Sequence, residues 1–226
     1  MTQFENLPVV PKAPAPWQLK GQGYILAIRL PPEFLDTQSF ADPALVASRR
    51  GRMAYVMFVD YQSSDAGPYH ELLYIPGSFQ FTGARRLSIS KIYVSTWDSV
   101  VNGHDNWGIP KERCDFQVSY GNDGIDEVKL LLDGRVFAEL NFRSHLFRLP
   151  FNGHLIPKGL RTLAQQFKGR EFTYIPLAKG HVKPARLLSA RIDSAHFPDI
   201  SQGRVVACVK VTDFDMVFPV AAVREL

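Results

Sequence analysis

The sequence predicts an α+β fold, mostly β, with a curved antiparallel sheet wrapped around an interior. Three observations lead there. Short runs rich in aromatic and branched residues recur along the chain, and helical signals are few. Strands and helices do not alternate as a parallel sheet requires. The pair Asp133-Gly134 sits between two apolar runs, the favoured two-residue hairpin turn, because both positions need positive φ.

In chain order, Leu7 to Pro16 carries Pro8, Pro11, Pro14 and Pro16, which excludes a helix or central strand and predicts an extended surface segment. We therefore divide the chain into a Pro-rich segment over 1–16 and one domain over 17–226. Tyr24 to Leu30 reads as a strand stopped by Pro31-Pro32, and Met53 to Asp60, Tyr69 to Ile75 and Lys91 to Ser95 as three more. Val128 to Leu132 and Arg135 to Leu140 flank the hairpin turn, and strands follow at Arg186 to Ile192 and Gly203 to Val211. Three short helices are expected. Pro43 to Arg50 has Asp42 as N-cap and Pro43 at its first position. Asp98 to Val101 ends at Gly103, and Leu160, Leu163, Ala164 and Phe167 form an apolar stripe ending before Gly169.

Composition bounds the function. With 226 residues, 46% apolar and 21% charged, the chain is long enough to bury a core unaided. Two cysteines, Cys114 and Cys208, are too few for a disulfide framework. No apolar run approaches the roughly 20 residues of a membrane span, and Met1 to Asn6 lacks the character of a signal peptide. A cytoplasmic protein that binds no membrane is expected. The excess of 26 Lys and Arg over 22 Asp and Glu is small, and its clusters, Arg49-Arg50-Gly51-Arg52 and Arg85-Arg86, are short and far apart in sequence. Nucleic acid is not the expected partner. Gly21-Gln22-Gly23 precedes a strand and lacks the third glycine of a dinucleotide loop. The six histidines include no pair at helical metal-site spacing, so no metal site is expected.

Chemistry concentrates between Lys91 and Phe116. Lys111 directly follows Gly108-Ile109-Pro110 on a constrained loop, with Trp107, Ile109 and Phe116 nearby. Large apolar neighbours desolvate an amine and lower its pKa. A neutral amine attacks a ketone to form an iminium, an electron sink for decarboxylation or aldol chemistry.

Tyr69-His70-Glu71-Leu72-Leu73-Tyr74-Ile75-Pro76-Gly77, Lys91-Ile92-Tyr93-Val94 and Trp107-Gly108-Ile109-Pro110-Lys111-Glu112 together resemble the acetoacetate decarboxylase superfamily. The resemblance extends from Pro16-Trp17 and Gly23-Tyr24 through Tyr174-Ile175-Pro176 to the stretch Pro184 to Ile192, covering most of the chain. It implies a cone-like β-barrel around a buried pocket, assembly into homo-oligomers, and chemistry with no cofactor. Residue by residue, it makes Lys111 the Schiff-base lysine, Glu71 the pocket acid and Arg29 the arginine that helps to bind the substrate carboxylate or to order the acids. On residue type alone, Arg29 and Glu71 read as exposed strand positions.

Three positions depart from the family pattern. Glu112 replaces the second lysine that follows the nucleophile; the family is known for activating its lysine with that cation. An ungapped count puts Val56 in place of the second pocket acid, and His104 stands for the arginine after the helix glycine, Gly103. An anion at Glu112, if close, raises the pKa of Lys111, which leaves only desolvation to lower it. The expected function is a lyase acting on a β-keto acid or a bulkier polyketide-like carbonyl compound, with Arg29, Trp107, His104, Tyr93 and Val56 contacting the substrate. Two alternatives stay open: cofactor-free cyclase, dehydratase or aldolase chemistry using acid–base groups such as His104, and a non-catalytic small-molecule-binding barrel.

Overall fold

A computed structural model describes residues 7–226. The expectation for Met1 to Asn6 lies outside the described residues. Leu7 to Pro16 carries no helix or strand, in keeping with its prolines. Among the described residues, sixteen strands form two sheets. β1 (Trp17–Arg29), β2 (Met53–Ser63), β3 (Tyr69–Ile75), β6 (Lys91–Val94) and β7 (Lys111–Arg113) make up one half of the larger sheet. β15 (Arg204–Phe218), β14 (Leu177–Ile192), β10 (Arg135–Ser144), β9 (Ile125–Leu132) and β8 (Asp115–Tyr120) continue it on the other side of β1. β11 (Leu149–Asn152) adds to β14. The smaller sheet runs β16 (Ala222–Glu225), β13 (Arg170–Tyr174), β12 (Leu163–Phe167), β5 (Ala84–Leu87) and β4 (Ser78–Phe81).

The sheets are curved and mostly antiparallel, as expected, but neither closes into a barrel among the described residues. Two contacts are parallel: β6 with β7, and the single pair Leu87–Leu163 joining β5 to β12. Asp133-Gly134 makes the predicted turn, with φ of 48° and 76°. Gly21 and Gly23 have a local structural role: a Cβ on either would approach a β2 carbonyl oxygen to 2.0 or 2.2 Å, so both are needed where β1 bends across β2.

Two of the helix expectations need correction. The apolar stripe from Leu160 to Phe167 does not form one helix. A single turn, α4 (Lys158–Arg161), is followed by strand β12. The reason is the turn Lys168-Gly169, both at positive φ, which pairs β12 with β13 as a hairpin and overrides the helical spacing. The helix expected to end at Gly103 is α3 (Trp97–Trp107), which ends at Gly108 in the left-handed conformation. The helix predicted over Pro43 to Arg50 is present as α2 (Pro43–Val46), shorter than expected, with the Asp42 side chain accepting from the Ala44 N–H. α1 (Pro32–Thr37), not anticipated, precedes it. No helix among the described residues is long and apolar enough to cross a membrane.

Strand alternation separates two apolar cores on opposite faces of the larger sheet. Tyr24, Leu26, Val56, Phe58, Leu72 and Tyr93 fill one, together with Phe142. Trp17, Tyr61, Tyr69, Leu73, Ile92 and Trp107 belong to the other, together with Phe172 of the smaller sheet. The functional candidates divide along the same line.

Candidate active site

Lys111 is the first residue of β7, and three local features fix it there. α3 starts at the Thr96 N-cap, whose hydroxyl accepts from the Ser99 N–H, and stops at Gly108. The chain then turns tightly through Pro110, with the Lys111 N–H donating to the Ile109 carbonyl at 2.7 Å. His104, one turn from the end of α3, donates from Nε2 to the Lys111 carbonyl at 2.9 Å. A carbonyl only accepts, so Nε2 carries the proton. Burial pushes the His104 pKa down to about 4, partly opposed by that hydrogen bond, so the ring is neutral at pH 7. Its ring packs on Phe167 at 4.9 Å.

The Lys111 side chain lies against the helix. A Cβ on Gly103 would stand 2.7 Å from its Cδ and 2.9 Å from its Cε. This explains a glycine inside α3, where it costs helix propensity: the lysine stem occupies the space of a side chain. Nζ, at the end of that stem, is buried and donates to Glu71 Oε2 at 3.0 Å, Ser99 Oγ at 3.0 Å and Tyr69 Oη at 3.4 Å. Three donors meet three acceptors, the full capacity of an ammonium. Burial pulls the Lys111 pKa down, but Glu71 and Tyr69 more than offset it, and the net shift is upward. This corrects the expectation that desolvation alone would leave a neutral amine. Lys111 is thus a cation paired with Glu71.

Glu71 sits in the middle of β3, between Val59 of β2 and Val94 of β6. Its other oxygen accepts from Tyr61 Oη at 3.3 Å. Tyr61 and Tyr69 pack with ring centroids 4.5 Å apart and planes tilted by 36°. Burial raises the pKa of both phenols, that of Tyr69 to about 12 in spite of Lys111. The centre is therefore one ammonium, one carboxylate, two phenols and the Ser99 hydroxyl.

This cluster opens onto a cavity of about 520 Å³. Trp17, Ile25, Met57, Trp107, Phe214 and Phe218 are among its walls, and among the described residues its charged lining is Glu71, Lys111 and Arg161. Trp107, named above as a substrate contact, lines this cavity and is fixed by its indole N–H on the Pro219 carbonyl at 2.6 Å.

The structure does not bring the remaining candidates to the cavity. Val56 and Tyr93 lie in the opposite core, because their positions alternate with those of the cavity-facing Met57 and Ile92. The Tyr93 hydroxyl donates to the His196 carbonyl. Arg29 is exposed at the end of β1 and does not line the cavity, as residue type alone predicted. His104 holds the backbone of Lys111 and is not a lining residue. Glu112 alternates away from Lys111 and pairs with Lys91 at 2.6 Å, so its charge is already met on the far face of β7. Sequence reasoning missed Ser99, Tyr61 and Tyr69. Two of the three carried a signal: Tyr69 is two residues from Glu71 on one strand face, and Ser99 is four from Gly103 on one helix face.

No protein-family model matches the chain, and no curated protein matches its sequence. Solved structures do. The acetoacetate decarboxylase of Legionella pneumophila superposes with a TM-score of 0.65 at 13% identity, covering 99% of this chain and 94% of that one. The enduracididine biosynthesis enzyme MppR, complexed with the condensation product of pyruvate and imidazole 4-carboxaldehyde, gives 0.64 at 14% identity, with 99% and 93% covered. An acetoacetate decarboxylase-like enzyme from Sphingomonas wittichii gives 0.64 at 13%, with 100% and 98% covered. The chain has the acetoacetate decarboxylase fold.

Proposed function

We propose that this protein is a lyase of the acetoacetate decarboxylase type, acting through an iminium on Lys111 on a carbonyl compound with a bulky apolar body. The observation that carries the reading is the buried Lys111 ammonium, held by Glu71, Ser99 and Tyr69 at the wall of an apolar cavity. A cation is rarely buried without a purpose that repays its desolvation.

Entry of an apolar substrate displaces water and favours the neutral form of the pair. Glu71 takes a proton from the ammonium, giving an amine and a carboxylic acid. The amine attacks the carbonyl carbon. The carbonyl oxygen collects one proton from the nitrogen and one from Glu71 and leaves as water, so the iminium cation again faces a Glu71 carboxylate. The iminium accepts the electron pair of the adjacent breaking bond, whether carbon dioxide or an aldol fragment departs. The resulting enamine takes a proton from solvent by way of Glu71, and water hydrolyses the iminium to release product and free Lys111. The neighbour MppR, with a condensation product bound, lends weight to including aldol-type chemistry. A cavity of about 520 Å³ is within the range of sites for drug-sized ligands, favouring a substrate larger than acetoacetate.

The test uses a neutral long-chain methyl ketone in water enriched in heavy oxygen. Reversible iminium formation exchanges the ketone oxygen without any bond to carbon being broken. Catalysed exchange that disappears in K111M supports the proposal; exchange no faster than in buffer, over a range of ketone lengths, overturns it.

A further inference from the structure

Arg161 is the third charged residue of the cavity wall and lies outside the Lys111–Glu71 cluster. It closes α4, the last helical turn of the segment between β11 and β12. Its Nε donates to the Ile156 carbonyl at 3.1 Å. The strap that carries it is closed on itself, the buried Thr162 hydroxyl donating to the Lys158 carbonyl at 2.7 Å. No carboxylate lies within ion-pairing distance of Arg161 among the described residues.

Burial distinguishes the two cations of the cavity: Lys111 is buried and Arg161 half-buried. Lys111 is 3% exposed, whereas the strap residues Ile156 and Leu160, which line the cavity beside Arg161, are 36% and 68% exposed. Lys111 therefore lies at the deep end and Arg161 at the mouth. The deep charge is cancelled by Glu71, which leaves the guanidinium as the net charge of an otherwise uncharged wall. A planar guanidinium with its outer edge free of carboxylates fits a carboxylate bidentately.

We propose that Arg161 is the substrate-positioning residue of this cavity, and that the substrate is an amphipathic acid: a carboxylate held at the mouth, an apolar body, and the reacting carbonyl at the deep end. The Lys111 reading supplies the carbonyl; the carboxylate and its place rest on Arg161 alone. A carboxylate paired with a guanidinium is stabilised as the anion, so losing it as carbon dioxide is disfavoured. The carboxylate at Arg161 is a retained handle, and the bond that breaks lies next to the carbonyl at Lys111. This position replaces Arg29 as the source of carboxylate recognition.

Calorimetric titration of the whole chain with decanoate and with its primary amide, decanamide, tests this. Both fill an apolar cavity; only one carries the handle. The wild type is expected to prefer decanoate. R161Q loses about tenfold in decanoate affinity and leaves decanamide unchanged, the size of one charge-assisted contact; R161K recovers part of the preference. Equal affinity of both ligands for the wild type, or an R161Q variant that keeps its decanoate preference, overturns the inference. The ketone-exchange test distinguishes the two claims: exchange without a carboxylate preference leaves the iminium and removes the handle, and a carboxylate preference without exchange does the reverse.

Discussion

Gly103 gives the most specific handle on how this site is built. In G103A the new methyl stands 2.7 Å from Cδ of Lys111, and ordinary contact begins at 3.4 Å, so the stem retreats by at least 0.7 Å. The backbone of Lys111 cannot move with it, because its N–H and carbonyl are held by Ile109 and His104. The displacement passes to Nζ, whose bonds to Glu71 and Ser99 are both 3.0 Å long. Stability changes little in net terms. Alanine in place of glycine in a helix interior contributes about 1 kcal/mol, and losing one hydrogen bond of a charged group costs about 1.5–3 kcal/mol. The variant is thus destabilised by about 0.5–2 kcal/mol and stays folded. Reactivity behaves differently, since a misplacement near 1 Å costs on the order of a hundredfold. The assay is the rate of irreversible reduction of the Lys111 adduct with a methyl ketone and borohydride, measured beside a thermal melt. A G103A protein that melts within a few degrees of wild type and traps ketone at an unchanged rate refutes the assignment of Gly103 as the seat of the lysine stem.

Other consequences follow from the charges. E71Q leaves the buried ammonium without its counter-charge, costing about 3–5 kcal/mol at pH 7 by denaturant titration. Because the Lys111 pKa is raised in the fold, the stability it supplies is present below the ordinary lysine value of 10.5 and disappears as pH rises through the higher folded value. The gap between E71Q and wild type therefore persists through neutral pH and narrows in alkali, and a gap that instead closes between pH 6 and 8 contradicts the pairing. His104 acts in the opposite direction. Its pKa falls from 6.5 to about 4, so the unfolded chain binds the extra proton between those values and stability drops as pH is lowered through them, by up to ~3 kcal/mol. H104Q should flatten that part of the melting-temperature profile. E112Q should leave the ketone-trapping rate within about twofold of wild type, because Glu112 is held by Lys91 on the other face of β7; a rise of tenfold or more would show that its charge does reach Lys111.

How far the sequence led depends on the kind of signal. Turn chemistry was legible: Asp133-Gly134 fixed a hairpin, and Asp42-Pro43 a helix start. The order of motifs around Glu71 and Lys111 pointed to the fold that solved structures share. Period alone misled at Leu160 to Phe167, where four apolar residues at helical spacing are equally compatible with a hairpin that the Lys168-Gly169 turn selects. Counting without structure misled at Val56: parity on a strand decides which face a residue joins, and an odd shift moves it to the other core. Glu112 looked adjacent to Lys111 because sequence neighbours on a strand are close in number yet point apart. Ser99 and Arg161 were hidden for another reason. Their roles depend on α3 and α4 meeting β7 and the cavity, contacts between elements distant in sequence and without a local signature.

If Lys111 is the nucleophile of this cavity, as proposed, it is the lysine that a ketone marks. The protein is incubated with a long-chain methyl ketone, reduced with borohydride and digested, and the mass of each lysine-containing peptide is read. The account predicts one stable secondary-amine adduct, on Lys111, absent when K111M is treated in the same way. An adduct spread over surface lysines, or one that persists at equal yield in K111M, contradicts it.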